Sequence, residues 1–176
     1  TDRGIEWHEG YPAPIKGISH VLSGARAADA KVVYASSNHA VGLYEVRHAP
    51  EIYQPEFDLT IDHTVRACPD SRYGALKMFS EGMGELAAAV HDVPFYAIRI
   101  GATRDPEYDH PYGDAERRVD RGEIERGSDG YAETVARMKC LWLSRRDFAQ
   151  LVDRCLQDET VTFDIFYGVS DSDRTW

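Results

Sequence analysis

Residues 71–100 read SRYGALKMFSEGMGELAAAVHDVPFYAIRI, and this stretch decides the fold. Leu76, Phe79, Met83, Leu86, Ala87 and Val90 recur at the spacing of one helix face, which predicts a helix from Ser71 to His91 with that face turned to a core. Phe95 to Ile100 is then apolar on nearly consecutive positions, the pattern of a strand covered on both faces. Upstream, Lys31-Val32-Val33-Tyr34-Ala35-Ser36 has the same character. Ahead of it, Ile18, Val21, Leu22 and Ala25 mark a helix over about Ile15 to Ala28. Strand, connection, helix and strand in that order define a parallel crossover unit, hence an α/β fold.

The flanks are less regular. Thr1 to Pro14 carries Gly4, Gly10, Pro12 and Pro14 and reads as loop. The segment from the first strand to about Pro69, with His48, Pro50 and Pro55, reads as a long surface connection. Residues 103–136 are dense in Arg, Asp, Glu, Gly and Tyr without an apolar period. A loop of that length in a compact domain is either functional or disordered, so a lid-like insertion is expected here. Ser144 is placed to cap a further helix, with Asp147 completing a capping-box variant and Phe148, Leu151, Val152, Cys155 and Leu156 as its apolar stripe. Val161 to Val169 is expected to be the last strand, before a polar tail that ends at Trp176.

Composition narrows the partners. Twenty Lys and Arg stand against 30 Asp and Glu, a formal charge of −10, which disfavours nucleic acid and anionic membrane as partners because both need a cationic face. No apolar run approaches the roughly 18 residues of a membrane span, and no basic-then-apolar segment opens the chain, so a cytoplasmic protein is expected. A length of 176 residues suits one domain. Cys68, Cys140 and Cys155 lack any C-x-x-C spacing, which argues against a disulfide framework and against a structural metal site. Lys16, Lys31, Lys77 and Lys139 are the only lysines in a chain whose other cations are arginines. That balance resembles proteins of salt-loving organisms, where a Debye length of about 3 Å at 1 M salt screens self-repulsion. It also makes every lysine conspicuous.

Two segments can carry chemistry. Tyr73 and Lys77 stand four residues apart on a helix, therefore on one face and one turn apart. A neighbouring ammonium favours a phenolate and lowers an unperturbed pKa of about 10, which turns a phenol into a usable base. Taken alone, Y-x-x-x-K is weak evidence, and the pair reads first as two ordinary exposed side chains. Ala35-Ser36-Ser37-Asn38-His39-Ala40-Val41-Gly42 lies at the carboxyl end of a buried strand, where parallel sheets place ligand crevices, with Ser37 at that edge. The plainer reading is a strand end whose hydroxyls satisfy loose backbone groups.

In combination the two segments resemble the extended short-chain dehydrogenase/reductase family, the NAD-dependent epimerase/dehydratase type, whose Ser, Tyr and Lys match Ser37, Tyr73 and Lys77. The resemblance runs from about Ile15 to Val169. Within the family, Ala35 to His39, Ile98 to Gly101, Ala136-Arg137-Met138 and Trp142-Leu143-Ser144 are most similar to uronate dehydrogenases and to haloarchaeal NAD-dependent glucose-6-phosphate dehydrogenases. It implies a Rossmann-like parallel sheet with helices on both faces, NAD as cofactor, and oxidation of a sugar at C1 to the lactone. Glucose 6-phosphate is the leading substrate and a hexuronate the second. A nucleotide-sugar epimerase or dehydratase is a further enzyme class with the same three residues.

By the same resemblance, Tyr73 takes the proton, Lys77 holds the nicotinamide ribose and Ser37 orients the sugar hydroxyl. Tyr73, Lys77, Ala35 and Ile100 would line the cofactor, while Ser37, Asn38, His39 and Arg137 would line the sugar. His39 also reads as a second base or a structural histidine. The fork of Arg137 suits a carboxylate or a phosphate. Ala102 stands where a uronate dehydrogenase has serine, which departs from the uronate pattern. Arg104, Arg117, Arg118, Arg121 and Arg126 of the insertion either close over a phosphosugar or pair among their own acidic neighbours.

One family feature is missing. No glycine-rich turn links a strand to a helix anywhere in the 176 residues. The expectation is therefore a single α/β domain fragment over residues 1–176, the catalytic half of a chain of about 250 residues, without the N-terminal dinucleotide-binding strands. A non-catalytic binding module is the reading for a complete chain. Gly74, Ala75, Gly82 and Gly84 on the 71–92 helix admit close approach of a second helix, either in a homodimer, as family analogy suggests, or inside the monomer.

Overall fold

Three parallel strands, β1 (Val32–Ser37), β2 (Phe95–Ile100) and β3 (Phe163–Gly168), form one sheet in the order β1-β2-β3 in the computed structural model, which describes residues 12–171. Val32, Phe95 and Phe163 pair at one end, and Ser37, Ile100 and Gly168 at the other. The opening loop before residue 12 and the polar tail after residue 171 lie outside the described residues.

Alternation along β2 explains its unbroken burial. Phe95 and Ala97 point into one layer with Ile18, Leu22 and Ala87, whereas Tyr96 and Ile98 point into the other with Cys155 and Phe148. A fully buried Phe or Ile side chain contributes about 1.5–3 kcal/mol. The first layer is built by α1 (Pro12–Ala27) and α3 (Arg72–His91), the second by α6 (Arg145–Gln157). Helix α1 starts ahead of the expected Ile15 because Pro12 and Pro14 fall in its first turn, where a missing N–H costs nothing. Ser144 caps α6 as expected, its Oγ accepting from the Asp147 amide at 3.0 Å. Lys31 closes the other end of α6, donating to the carbonyls of Cys155, Leu156 and Asp158.

Helix α3 has the expected span, capped by Ser71 Oγ on the Gly74 amide at 3.1 Å, but of the face its apolar spacing predicts only Ala87 and Met83 pack into the core, and the buried face is rotated toward small residues. Gly74, Ser80, Glu81, Gly84, Ala87 and Ala88 are the buried positions. Phe79, Leu86 and Val90 stand 39%, 51% and 60% exposed. Contact distance decides the matter. A Cβ on Gly84 would lie 2.3 Å from the Phe95 ring, so only a small-residue face lets α3 settle on the sheet. Gly74 and Gly84 therefore serve packing within the monomer.

Two further expectations change. The connection after β1 is not a bare surface run: it holds α2 (Leu43–His48) and a 3-10 turn, and it buries Ile52, Tyr53 and Ile61. Residues 103–136 are not a patternless loop either, since they form α4 (Gly113–Asp120) and most of α5 (Asp129–Leu141). Polar links hold them in place of an apolar stripe, with Asp114 between Arg104 and Arg117, Glu116 between Arg126 and Tyr131, and Arg118 on Thr134.

Candidate active site

The carboxyl ends of β1 and β2 carry the site. Ser37 ends β1, and its Oγ accepts the His39 amide at 3.2 Å, turning the chain into a 3-10 turn over Asn38–Ala40. Helix α3 lies against that turn because Gly74 has no side chain; a Cβ there would come 2.1 Å from the His39 carbonyl oxygen. This contact sets Tyr73 edge-on to His39, with ring centroids 5.8 Å apart. One turn later, Lys77 Nζ donates to the Ala35 carbonyl at 2.6 Å and lies 5.4 Å from the Tyr73 ring centroid. Ser37, His39, Tyr73 and Lys77 thus form one chain of contacts at one sheet edge. Tyr73 is 50% exposed and Ser37 only 5%.

The other expected positions divide. Ala35 and Ile100 lie on that edge, Ala35 through its carbonyl and Ile100 across from Ser37 in register. Asn38 is buried, with its Oδ1 3.4 Å from Ser37 Oγ, so it reaches the site through that serine. Arg137 on α5 is already engaged. Its Nε donates to Glu45 Oε1 at 2.5 Å and its Nη2 to Oε2 at 3.1 Å, while the Tyr53 hydroxyl donates to the same Oε1 at 2.7 Å. Burial works against the charge on Arg137, and the Glu45 bonds outweigh it, leaving the guanidinium above its ordinary value. Burial and the same carboxylate push the Tyr53 hydroxyl well up.

Three carboxylates near the site, Asp70, Glu45 and Glu81, have almost no signal in the local sequence. Asp70 Oδ2 sits 2.7 Å from His39 Nδ1, and Gly42 leaves it room, since a Cβ there would lie 2.1 Å from that oxygen. Glu45 occupies Arg137. Beneath the site, Glu81 on α3 accepts from Arg99 Nε at 3.0 Å and Nη2 at 2.8 Å, and from Ser36 Oγ at 2.5 Å. Glu81 shares a helix face with Tyr73 and Lys77, so a carboxylate on the sheet-facing side of α3 is the one hint the sequence holds.

This fold is shared with the crystal structure of glucuronic acid dehydrogenase from Chromohalobacter salexigens, at a TM-score of 0.65 and 25% identity over 93% of this chain and 48% of that one. Nucleotide-sugar epimerases also stand among the structural neighbours, at identities that bear on the fold alone. It is the Rossmann-like fold of uronate dehydrogenase and of the epimerase/dehydratase type of short-chain enzyme. In sequence the chain is 32% identical over 147 residues to an NAD-dependent glucose-6-phosphate dehydrogenase of Haloferax volcanii, covering 83% of this chain and 47% of that protein. It is 27% identical over 165 residues to a uronate dehydrogenase of Pseudomonas syringae, covering 93% and 46%. The chain is thus a homologue of NAD-dependent sugar dehydrogenases, and it spans about half the length of the relatives it matches. No family model matches it.

Proposed function

We propose that this protein oxidises a sugar at its anomeric carbon to the lactone with NAD, and that its preferred sugar is glucose 6-phosphate. The observation that carries the chemistry is the contact chain from Ser37 through His39 to Tyr73 and Lys77 at one strand end. Tyr73 accepts the proton of the anomeric hydroxyl on its phenolic oxygen, Ser37 Oγ orients that hydroxyl, and Lys77 supplies positive charge beside the phenol. His39, steadied through Nδ1 by Asp70, turns Nε2 to the sugar. NAD, when bound, supplies the hydride acceptor. The donor set fits the ribose side of that cofactor: an ammonium has three N–H donors, and Lys77 spends one on Ala35, at an edge where Ile100 is the neighbouring strand end. Among the described residues nothing offers the glycine turn that would take its pyrophosphate.

The choice of sugar rests on the Haloferax relative and on Arg137. A hexuronate carboxylate would need the fork that Glu45 already fills. The test is a spectrophotometric panel on the intact protein with glucose 6-phosphate, glucose, glucuronate and galacturonate. NADH should accumulate in proportion to sugar consumed, with kcat/KM for glucose 6-phosphate at least about tenfold above that for either uronate, a difference of roughly 1.4 kcal/mol. A uronate preference would move the reading to that substrate, and NAD recycled without net NADH would move it to an epimerase.

We further propose a homodimer through α3. Phe79, Leu86 and Val90 form an exposed apolar stripe, with Val21 of α1 52% exposed beside that layer. Light scattering should give a dimer mass for the wild-type protein and a monomer mass for Leu86→Glu. A monomeric wild type at micromolar concentration would end the proposal.

A further inference from the structure

Away from Tyr73, a cleft of about 880 Å³ opens between the segment after β2, α4 and the face of α6 from Arg145 to Leu156. Thr103, Arg104, Arg117, Arg121 and Arg145 line its polar part, and Phe148, Val152 and Leu156 the rest. In a chain of net charge −10, four arginines around one cleft depart from the acidic balance of the whole.

Their states differ in a way that suggests a ligand. Arg104 and Arg117 are aimed by one buried carboxylate, Asp114, whose Oδ1 accepts from Arg104 Nε at 2.9 Å and Arg117 Nη2 at 2.5 Å. Burial raises the Asp114 carboxyl, and the two guanidinium bonds outweigh it, so it stays below the usual range and charged. Arg104 also donates to the Thr103 carbonyl at 2.8 Å. Arg121 and Arg145, in contrast, have no side-chain hydrogen bond or ion pair among the described residues. Asp105 and Asp153 line the cleft as well, and the arginines still outnumber Asp105, Asp153 and Asp114 together. Planar guanidinium forks match the tetrahedral oxygens of phosphate better than an ammonium does.

We propose that this cleft binds a phosphoryl anion, with Arg121 and Arg145 as the contacting forks and Arg104 and Arg117 as the positively charged wall behind them. Thr103 follows closely on Ile100, which pairs with Ser37, so the arginine-lined part of the cleft begins at the end of the sheet that carries the candidate site. The phosphoryl group has two available sources, a phosphate monoester on the sugar or the pyrophosphate of the dinucleotide. Only the choice between these sources rests on the function proposed above.

The experiment titrates inorganic phosphate into the intact protein at fixed ionic strength, read by ³¹P line broadening. Wild type is compared with Arg121→Ala/Arg145→Ala and with Arg146→Ala, an exposed neighbour outside the cleft. The double variant should bind phosphate at least tenfold more weakly, and Arg146→Ala should bind as wild type does. Equal affinity in wild type and double variant, or no broadening in wild type, overturns the proposal. Neither substituted side chain makes a hydrogen bond or ion pair among the described residues, and the Arg145 amide keeps its bond to Asp109, so the double variant keeps its thermal midpoint. A second arm finds the source: a raised KM for glucose 6-phosphate with that for NAD unchanged identifies the monoester, and the reverse identifies the pyrophosphate. If no sugar yields NADH, the function proposed above fails while the phosphate titration still decides the cleft.

Discussion

Tyr73→Phe is expected to lower kcat by about two to four orders of magnitude, the usual contribution of a positioned acid or base, while leaving NAD affinity and stability almost unchanged. The variant removes one oxygen and nothing else. The ring that meets His39 edge-on and lies under Lys77 remains in place, and a half-exposed phenol has little burial to lose. Stability should therefore stay within about 0.5 kcal/mol of wild type, as for a surface substitution. On the proposed mechanism the proton of the anomeric hydroxyl would lose its acceptor, and a hundredfold fall alone corresponds to about 2.7 kcal/mol at the transition state. Lys77→Ala is a less clean experiment because it also frees the Ala35 carbonyl at the strand edge. The measurement is NADH formation at saturating sugar and NAD, together with the NAD dissociation constant. A variant that turns over at the wild-type rate would remove Tyr73 from the chemistry. One that loses NAD affinity in parallel would make the phenol a binding group.

The strands were legible because β1 and β2 are covered on both sides, and such burial writes consecutive apolar residues into the chain. Helix α3 shows where the same logic fails. Spacing reports that a face is apolar, not what lies against it. The sheet claimed the face of small residues, through Gly84 on Phe95 and Gly74 on His39, and left Phe79, Leu86 and Val90 outside. Helix α4 and the start of α5 were illegible for a different reason. They are fixed by polar links such as Asp114 with Arg104 and Arg117 and Arg118 with Thr134, and opposite charges scattered along a chain leave no period, while only the end of α5 packs Met138, Cys140 and Leu141 into an apolar cluster.

The same division runs through the site. Tyr73 and Lys77 could be paired from sequence because residues four apart on a helix are neighbours whatever the tertiary fold. Ser37 could be placed because strand ends in parallel sheets carry function. Asp70 under His39, Glu45 on Arg137 and Arg99 on Glu81 join segments far apart in the chain, and no local rule says which charges meet. Arg137 shows the consequence: its guanidinium matched an anion-gripping position by resemblance, and its fork lies on a carboxylate of its own chain.

Glu81→Ala is expected to cost about 3–5 kcal/mol, the range for breaking a buried ion pair from one side, out of a total stability of about 5–15 kcal/mol. Arg99 is 2% exposed and Glu81 3%, so the arginine left behind would be a desolvated charge without an acceptor. It already carries a cost of this kind, since among the described residues its Nη1 has no hydrogen-bond partner and neither has the nearby buried Tyr167 hydroxyl. Removing the carboxylate also releases Ser36 Oγ, one residue before Ser37, so the folded fraction should lose activity beyond what unfolding explains. Urea titration at fixed salt reads the first effect as a lower midpoint with an unchanged slope, and NADH formation per folded molecule reads the second. The double variant Glu81→Leu/Arg99→Met separates the two contributions. It buries no charge, so it should recover much of the stability, yet it cannot restore the acceptor for Ser36 and should stay impaired in turnover. If Glu81→Ala unfolds within about 1 kcal/mol of wild type, water reaches Arg99 and the pair is no buried anchor. If the double variant regains full activity along with stability, packing alone positions the strand end, and Glu81 has no part in holding Ser37 to the site.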